Sequence, residues 1–210
     1  MGSLEKIFDG IRQSVEAANG ARERALALSR EVIRFSANAV RATHRGEFAE
    51  AQALIEEARN RALQLRQALR EYPQIYWTGY VQDAQKEFAE ACLTLCMVGG
   101  DPLPTPCELQ VEDAPYLNAL GETVGELRRH FLDLLRRGEV WRAERVLSLM
   151  DDVYDGLVTF DYPDALTAGL RRTCDMVRGV LERSRGDLTA AIRQEALGEA
   201  LRRVEQGHGG

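Results

Sequence analysis

Strong helix formers run through this chain in long stretches, and that pattern constrains its fold more than any other feature. Ala, Leu, Arg, Glu and Gln fill the space between a few punctuation marks: Gly46, Pro73, the stretch Gly99–Pro106, Gly138, Pro163 and Gly186. Proline removes a backbone donor and glycine frees the backbone, so helices end at or near such marks. No segment sustains the two-residue alternation, rich in β-branched residues, that marks a strand. The marks predict helices at residues 3–45, 47–71, 74–98, 113–136, 139–158, 163–184 and 187–205, with Asp113, Ser184 and Asp187 at or near their caps. The expected fold class is all-α: one helical domain over residues 1–205, then a disordered tail over 206–210.

The first helix carries two apolar stripes. Leu26, Ile33, Ala37 and Val40 fall on one face, and Leu28, Val32, Phe35 and Ala39 on a nearly opposite one. A helix apolar on two faces is sandwiched between layers or between subunits. Arg30, Arg34, Arg41 and Arg45 share about a 60° arc of the same helix. That arc is either a solvated face with Glu partners or a basic surface for phosphates.

Charge and composition narrow the function classes. The chain has 27 basic and 33 acidic residues, a formal charge of −6, which argues against coating nucleic acid by charge alone. A local basic cavity remains compatible with that balance. At 45% hydrophobic and 29% charged the chain has ample material for a core. No apolar run suffices to span a membrane, and the N-terminus lacks the charge and hydropathy profile of a secretory signal, so the expected location is cytoplasmic. Cys92, Cys96, Cys107 and Cys174 do not follow a zinc-ligand spacing and are read as reduced, mostly buried thiols. No Ser-His-Asp or Cys-His arrangement and no glycine-rich phosphate loop is legible. Tyr76, Trp77 and Tyr80 form an aromatic cluster, read as core before base-stacking platform.

Two pairs of carboxylates stand out. Glu87 and Glu90 lie at i and i+3 on one predicted helix, with Asp83 four residues before Glu87. Glu122 and Glu126 lie at i and i+4 on the next. Each pair projects from one side of its helix, where like charges cost a few tenths of a kcal/mol, roughly, unless something offsets them. Both border apolar faces: Val81, Ala84, Phe88, Ala91 and Leu95 on the first helix, Leu120, Val124, Leu127 and Phe131 on the second. If the helices pack antiparallel, four carboxylates converge, and an all-oxygen set suits Mg²⁺ or Mn²⁺. Such ions serve phosphodiester cleavage. The same spacing also fits surface glutamates paired with Lys86, Arg128 or Arg129. The Glu-x-x-His signature of diiron bundles is absent, because Arg129 stands three residues after Glu126 and His130 four. His44 is read as a C-terminal cap, His130 as packed or paired with Glu126, and His208 as part of the tail.

Taken together, four segments resemble the translin family, which includes translin and translin-associated factor X. They are Tyr76–Ala91, Asp113–Phe131, Val153–Glu182 and Ser184–Leu188, and the most specific is the run holding Tyr116, Leu117, Gly121, Gly125, Glu126, Leu127 and Arg129. The order and spacing of these blocks match across nearly the whole chain. The resemblance implies an all-α bundle of about seven helices. It implies assembly into a closed, hollow homo-oligomer, an octamer or hexamer, with nucleic acid inside.

The resemblance further implies a Mg²⁺-dependent endoribonuclease acting on single-stranded RNA and also binding single-stranded DNA. In the family's nuclease-competent subunit the acids lie in a Glu-x-x-Glu-Ala block and an Asp-x-x-Gly-Glu-Leu block. Glu87 and Glu90 match the first block, and Glu122 and Glu126 the second. They are therefore expected to hold one or two Mg²⁺ ions, with Mn²⁺ as a substitute. Arg128 and Arg129, with Arg22, Arg30 and Arg34, are expected to hold phosphates. Position 122 departs from the pattern, being Glu where that subunit usually has Asp. The family's translin-type subunit tends to lose these acids; this chain keeps them, which makes it more similar to translin-associated factor X. The alternative is a non-catalytic binding protein of the translin type.

Overall fold

The computed structural model describes residues 2–207. Among them are nine α-helices and no strand: α1 (Gly2–Arg45), α2 (Phe48–Ala68), α3 (Pro73–Tyr76), α4 (Gly79–Gly99), α5 (Pro106–Leu109), α6 (Asp113–Arg136), α7 (Val140–Leu157), α8 (Asp164–Thr167) and α9 (Leu170–Gly207). The all-α expectation holds, and α6 begins at Asp113 as its cap signal predicted. The three single-turn helices were not legible. The chain divides into two compact units between Ala119 and Leu120, inside α6.

In the first unit α1 packs against α2 and α4, and α2 also packs against α4. The buried line of α1 is Ala21, Ala25, Ser29, Val32, Ser36, Ala39 and Thr43, spaced three or four apart. Mostly small side chains let neighbouring helices approach closely. The stripe Leu26, Ile33, Ala37 and Val40 is half-buried, and of the opposite stripe Val32 and Ala39 are buried while Leu28 and Phe35 are half-buried. On α4, Val81, Ala84, Phe88, Ala91 and Leu95 are buried, as their periodicity predicted. Burying Phe88, which is fully enclosed, contributes roughly 2–3 kcal/mol. Helix α4 stops where Gly100 turns left-handed, at φ +83°, and its N–H donates to the Cys96 carbonyl at 2.8 Å. Thr105 then caps α5 reciprocally with Glu108, whose carboxyl is held below its usual range by the Thr105 N–H.

In the second unit α7 and α8 pack against α9. Leu127, Phe131, Leu134, Met150, Leu157, Leu170 and Leu181 are its largest enclosed side chains. One expectation is corrected here. Helices 163–184 and 187–205 do not exist as such, because the break falls at Ala168 and Gly169 (φ +50° and +83°) and α9 runs unbroken through Gly186. Ser184 and Asp187 are not caps. Ser184 Oγ donates to the Val180 carbonyl at 2.8 Å, and both residues accept from Arg128. An interior glycine costs about 1 kcal/mol. Continuing the helix buries Leu188 beyond it, which contributes about 2 kcal/mol. Helix α9 takes in Gln206 and Gly207, whereas residues 208–210, including His208, lie outside the described residues. Among the described residues no helix is long and apolar enough to cross a membrane.

Candidate metal centre

Helix α4 presents its acids beside its buried face. Phe88 and Ala89 are enclosed while Glu87 and Glu90, flanking them, are half-buried. One helical turn separates the two glutamates, and each offers a carboxylate oxygen within 4.8 Å of the other's. Lys86 Nζ lies 3.8 Å from Glu87 Oε1, and both side chains are less than one-third exposed. Two half-buried carboxylates at this range repel in a medium less polar than water, and a cation offsets that repulsion. Their chemistry fits a hard divalent ion, since both donors are carboxylate oxygens. Asp83, one turn earlier, is exposed.

Helix α6 carries the second pair. Glu122 and Glu126 are half-buried, between the enclosed Thr123, Val124 and Leu127. Gly121, just before Glu122, fixes how closely α6 meets α9. A Cβ there would stand 2.2 Å from Thr173 Cγ2, so only a residue without a side chain fits. The expected enclosure of Val124, Leu127 and Phe131 is observed, and Leu120 is half-buried.

The predicted arginines differ in their engagements. Arg128 spans α6 and α9, donating through Nη1 to Ser184 Oγ at 2.8 Å and through Nη2 to Asp187 Oδ2 at 2.7 Å. Its guanidinium therefore anchors α9. Arg129 is exposed on the next position of α6. On α1, Arg22 pairs with Glu23 at 2.6 Å, Arg30 is exposed, and the Arg34 guanidinium lies 5.0 Å from the Phe35 ring centre. Arg41 donates to Asn38, and Arg45 pairs with Glu47 and Glu50. That basic arc is thus partly neutralised by neighbours.

Sequence reasoning missed a groove of about 560 Å³ in the first unit, lined in part by Leu63, Arg66, Arg70, Pro73, Tyr76 and Glu112. Tyr76 donates to Glu112 Oε1 at 2.6 Å, and burial together with that carboxylate pushes its hydroxyl up to about 12. The aromatic cluster is not wholly core, because Trp77 is 61% exposed and meets Tyr76 edge-on. Among the cysteines Cys92 is buried, Cys96 and Cys174 are intermediate and Cys107 is exposed, so the expectation of mostly buried thiols holds fully only for Cys92.

No protein-family model matches the chain. It is 33% identical over 192 residues to MJ0175, an uncharacterized protein of Methanocaldococcus jannaschii, covering 90% of this chain and 84% of that one. Its fold superposes on a structure of AfC3PO in complex with duplex RNA with a TM-score of 0.83 and 34% identity, covering 89% of this chain and 97% of that one. A crystal structure of AfC3PO matches with the same TM-score and 33% identity. Apo-NeC3PO shares the fold at a TM-score of 0.80 and 20% identity. One residue in three is kept over almost the full length of both partners, on one all-α framework that carries the four sequence blocks. The chain therefore belongs to the translin family, as the C3PO proteins do.

Proposed function

We propose that this protein is a Mg²⁺-dependent endoribonuclease of single-stranded RNA. It works in the cytoplasm as a homo-oligomeric helical shell, an octamer or hexamer, and also binds single-stranded DNA. The observation that carries the nucleic-acid reading is the near full-length likeness to AfC3PO, a protein seen in complex with duplex RNA. The nuclease reading, and with it the translin-associated factor X type, rests on the acids. A protein that only binds phosphates has no use for paired, half-buried carboxylates, which repel them.

Glu87 and Glu90 on α4, with Glu122 and Glu126 on α6, would hold the ion. When bound, Mg²⁺ (or Mn²⁺) supplies charge neutralisation and lowers the pKa of water. The chain's own residues do the rest. Lys86 limits the net charge beside Glu87. Arg129, exposed one turn after Gly125, reaches for phosphates adjacent to the cut, and Arg30 and Arg34, one turn apart on α1, hold the strand further away. Arg22 adds to them by releasing Glu23. Arg128, already bound to Asp187, acts by positioning α6 on α9. Glu122 would reach toward the ion through one methylene more than an aspartate has.

Cleavage of a fluorescent single-stranded RNA, with its duplex as a second substrate, tests this. The arms are Mg²⁺, Mn²⁺ and EDTA, with Glu126→Ala beside the wild type. Cutting that needs metal and falls at least ~100-fold in the variant is expected. RNA binding with a steep salt dependence but no cutting in any metal refutes the nuclease and leaves the binding protein. No binding at low salt refutes both.

A further inference from the structure

The groove of the first unit brings three kinds of chemistry together. Its volume of about 560 Å³ falls within the range of small-molecule sites, roughly 300–1,000 Å³. The first chemistry is cationic. Arg66 in the last turn of α2 and Arg70 just after it line the groove together, and both are exposed. Arg45, Arg59 and Arg61 all pair with glutamates. Arg66 and Arg70 have no carboxylate within ion-pair range among the described residues, and Arg66 Nη1 donates only to the Gln110 carbonyl, at 3.2 Å. The second chemistry is a fixed acceptor. Glu112 takes the Tyr76 hydroxyl on Oε1 at 2.6 Å, and its backbone N–H donates to Gln85 Oε1 at 2.9 Å. Its Oε2 has no hydrogen-bond partner among the described residues. The third is apolar and flat: Leu63, Pro73 and the Tyr76 ring, which Trp77 braces edge-on at 5.2 Å. At the rim Gln110 is held left-handed, at φ +57°. A side chain in that conformation persists only where its surroundings hold it, and such positions gather at ligand sites.

The combination narrows the ligand. A simple anion would use the arginines but be repelled by Glu112 on the same groove. The ligand must give the arginines an anion and Glu112 a donor at once. The apolar wall asks for a flat ring. A 5′-ribonucleotide joins all three. Its phosphate suits two guanidiniums, whose forked N–H groups match phosphate oxygens in pairs. Its ribose hydroxyls donate to a carboxylate, as they do in dinucleotide folds. Its base packs flat against Pro73 and the Tyr76 ring.

We propose that this groove binds a free 5′-ribonucleotide, with its phosphate on Arg66 and Arg70 and its ribose on Glu112. The site is separate from the paired carboxylates of α4 and does not depend on the nuclease reading. Titration calorimetry of the full chain in EDTA tests it, with AMP, CMP, GMP and UMP as probes. The tightest of the four is then compared with its 2′-deoxy form, its nucleoside and inorganic phosphate. Arg70→Met and Glu112→Ala are run beside the wild type, and far-ultraviolet circular dichroism checks their folding. One saturable site is expected, at least ~10-fold weaker for the nucleoside and for Arg70→Met, because a charged hydrogen-bond partner is lost. The 2′-deoxy form should bind about 10-fold more weakly to the wild type and no differently from the ribonucleotide to Glu112→Ala. Should Glu112→Ala not fold, Arg70→Met and the deoxy comparison on the wild type carry the test. No saturable binding of any of the four nucleotides overturns the proposal, as does binding unchanged in Arg70→Met. Inorganic phosphate binding as tightly as the nucleotide reduces the groove to an anion site and also overturns it. An oligoribonucleotide bearing a 5′-phosphate that needs Arg70 and binds at least ~10-fold tighter overturns the free nucleotide in favour of a strand end.

Discussion

Two glycines one turn apart on α6 should respond oppositely to the same substitution. At Gly121 an added Cβ would stand 2.2 Å from Thr173 Cγ2, 3.4 Å from Leu157 Cδ1 and 3.5 Å from Val177 Cγ2. At Gly125 it would meet nothing within 4 Å. Alanine in a helix interior is about 1 kcal/mol better than glycine, and Gly125→Ala should collect most of that gain. Gly121→Ala has the same gain but must push α9 away or turn Thr173 out of its rotamer, an overpacking cost of about 1–3 kcal/mol. The two variants should therefore differ by about 1–3 kcal/mol, equivalent to roughly 2–10 °C in Tm for a chain of this size. Urea unfolding in metal-free buffer measures the difference from the midpoints, provided the slopes agree. Thr173→Ser removes the obstructing methyl and should restore most of the loss only in the Gly121→Ala background, as a double-mutant cycle reads directly. Equal stability of the two alanine variants, or a Thr173→Ser effect that simply adds, would refute the close contact of α6 with α9 beside Glu122.

Arg128→Met should lower stability by about 1 kcal/mol, because the pair with Asp187 is only partly shielded from water; a thermal melt that does not move would show that the anchor contributes nothing. The Tyr76 hydroxyl, raised to about 12 in the folded state, stays neutral where an unfolded tyrosine ionises near 10. Its contribution is therefore present below about pH 10 and is lost as pH rises toward 12, and Tyr76→Phe should flatten that decline in denaturant midpoints. Burial pushes the Cys92 thiol up to about 12, while Cys107 is exposed. Ellman's reagent should label Cys107 first and reach Cys92 only on unfolding, as peptide mapping of the alkylated protein would check.

Much of this protein is local and could be read along the chain. Helix formers between Gly46, Pro73, the Gly99–Pro106 stretch and Gly138 determine helices at α1, α2, α4, α6 and α7, because a helix closes its hydrogen bonds within one segment. The three- and four-residue spacing fixed which face of α4 is buried and that Glu87 and Glu90 share a side, since both follow from the helical repeat alone. The four sequence blocks carried the family. Tertiary contacts decided the rest. Gly186 does not break α9, because burial of Leu188 and the grip of Arg128 on Ser184 and Asp187 outweigh a glycine's weak preference. The break at Gly169 belongs to a left-handed turn that no periodicity announces. Arg128 and Arg129 look alike in sequence, yet one is locked between two helices and the other is exposed. The first helix reads as apolar on two stripes, and only its packing against α2 and α4 decides that the line Ala21 to Thr43 is the covered one. A repeat specifies what a side chain offers; the neighbouring helices decide whether that offer meets protein or water.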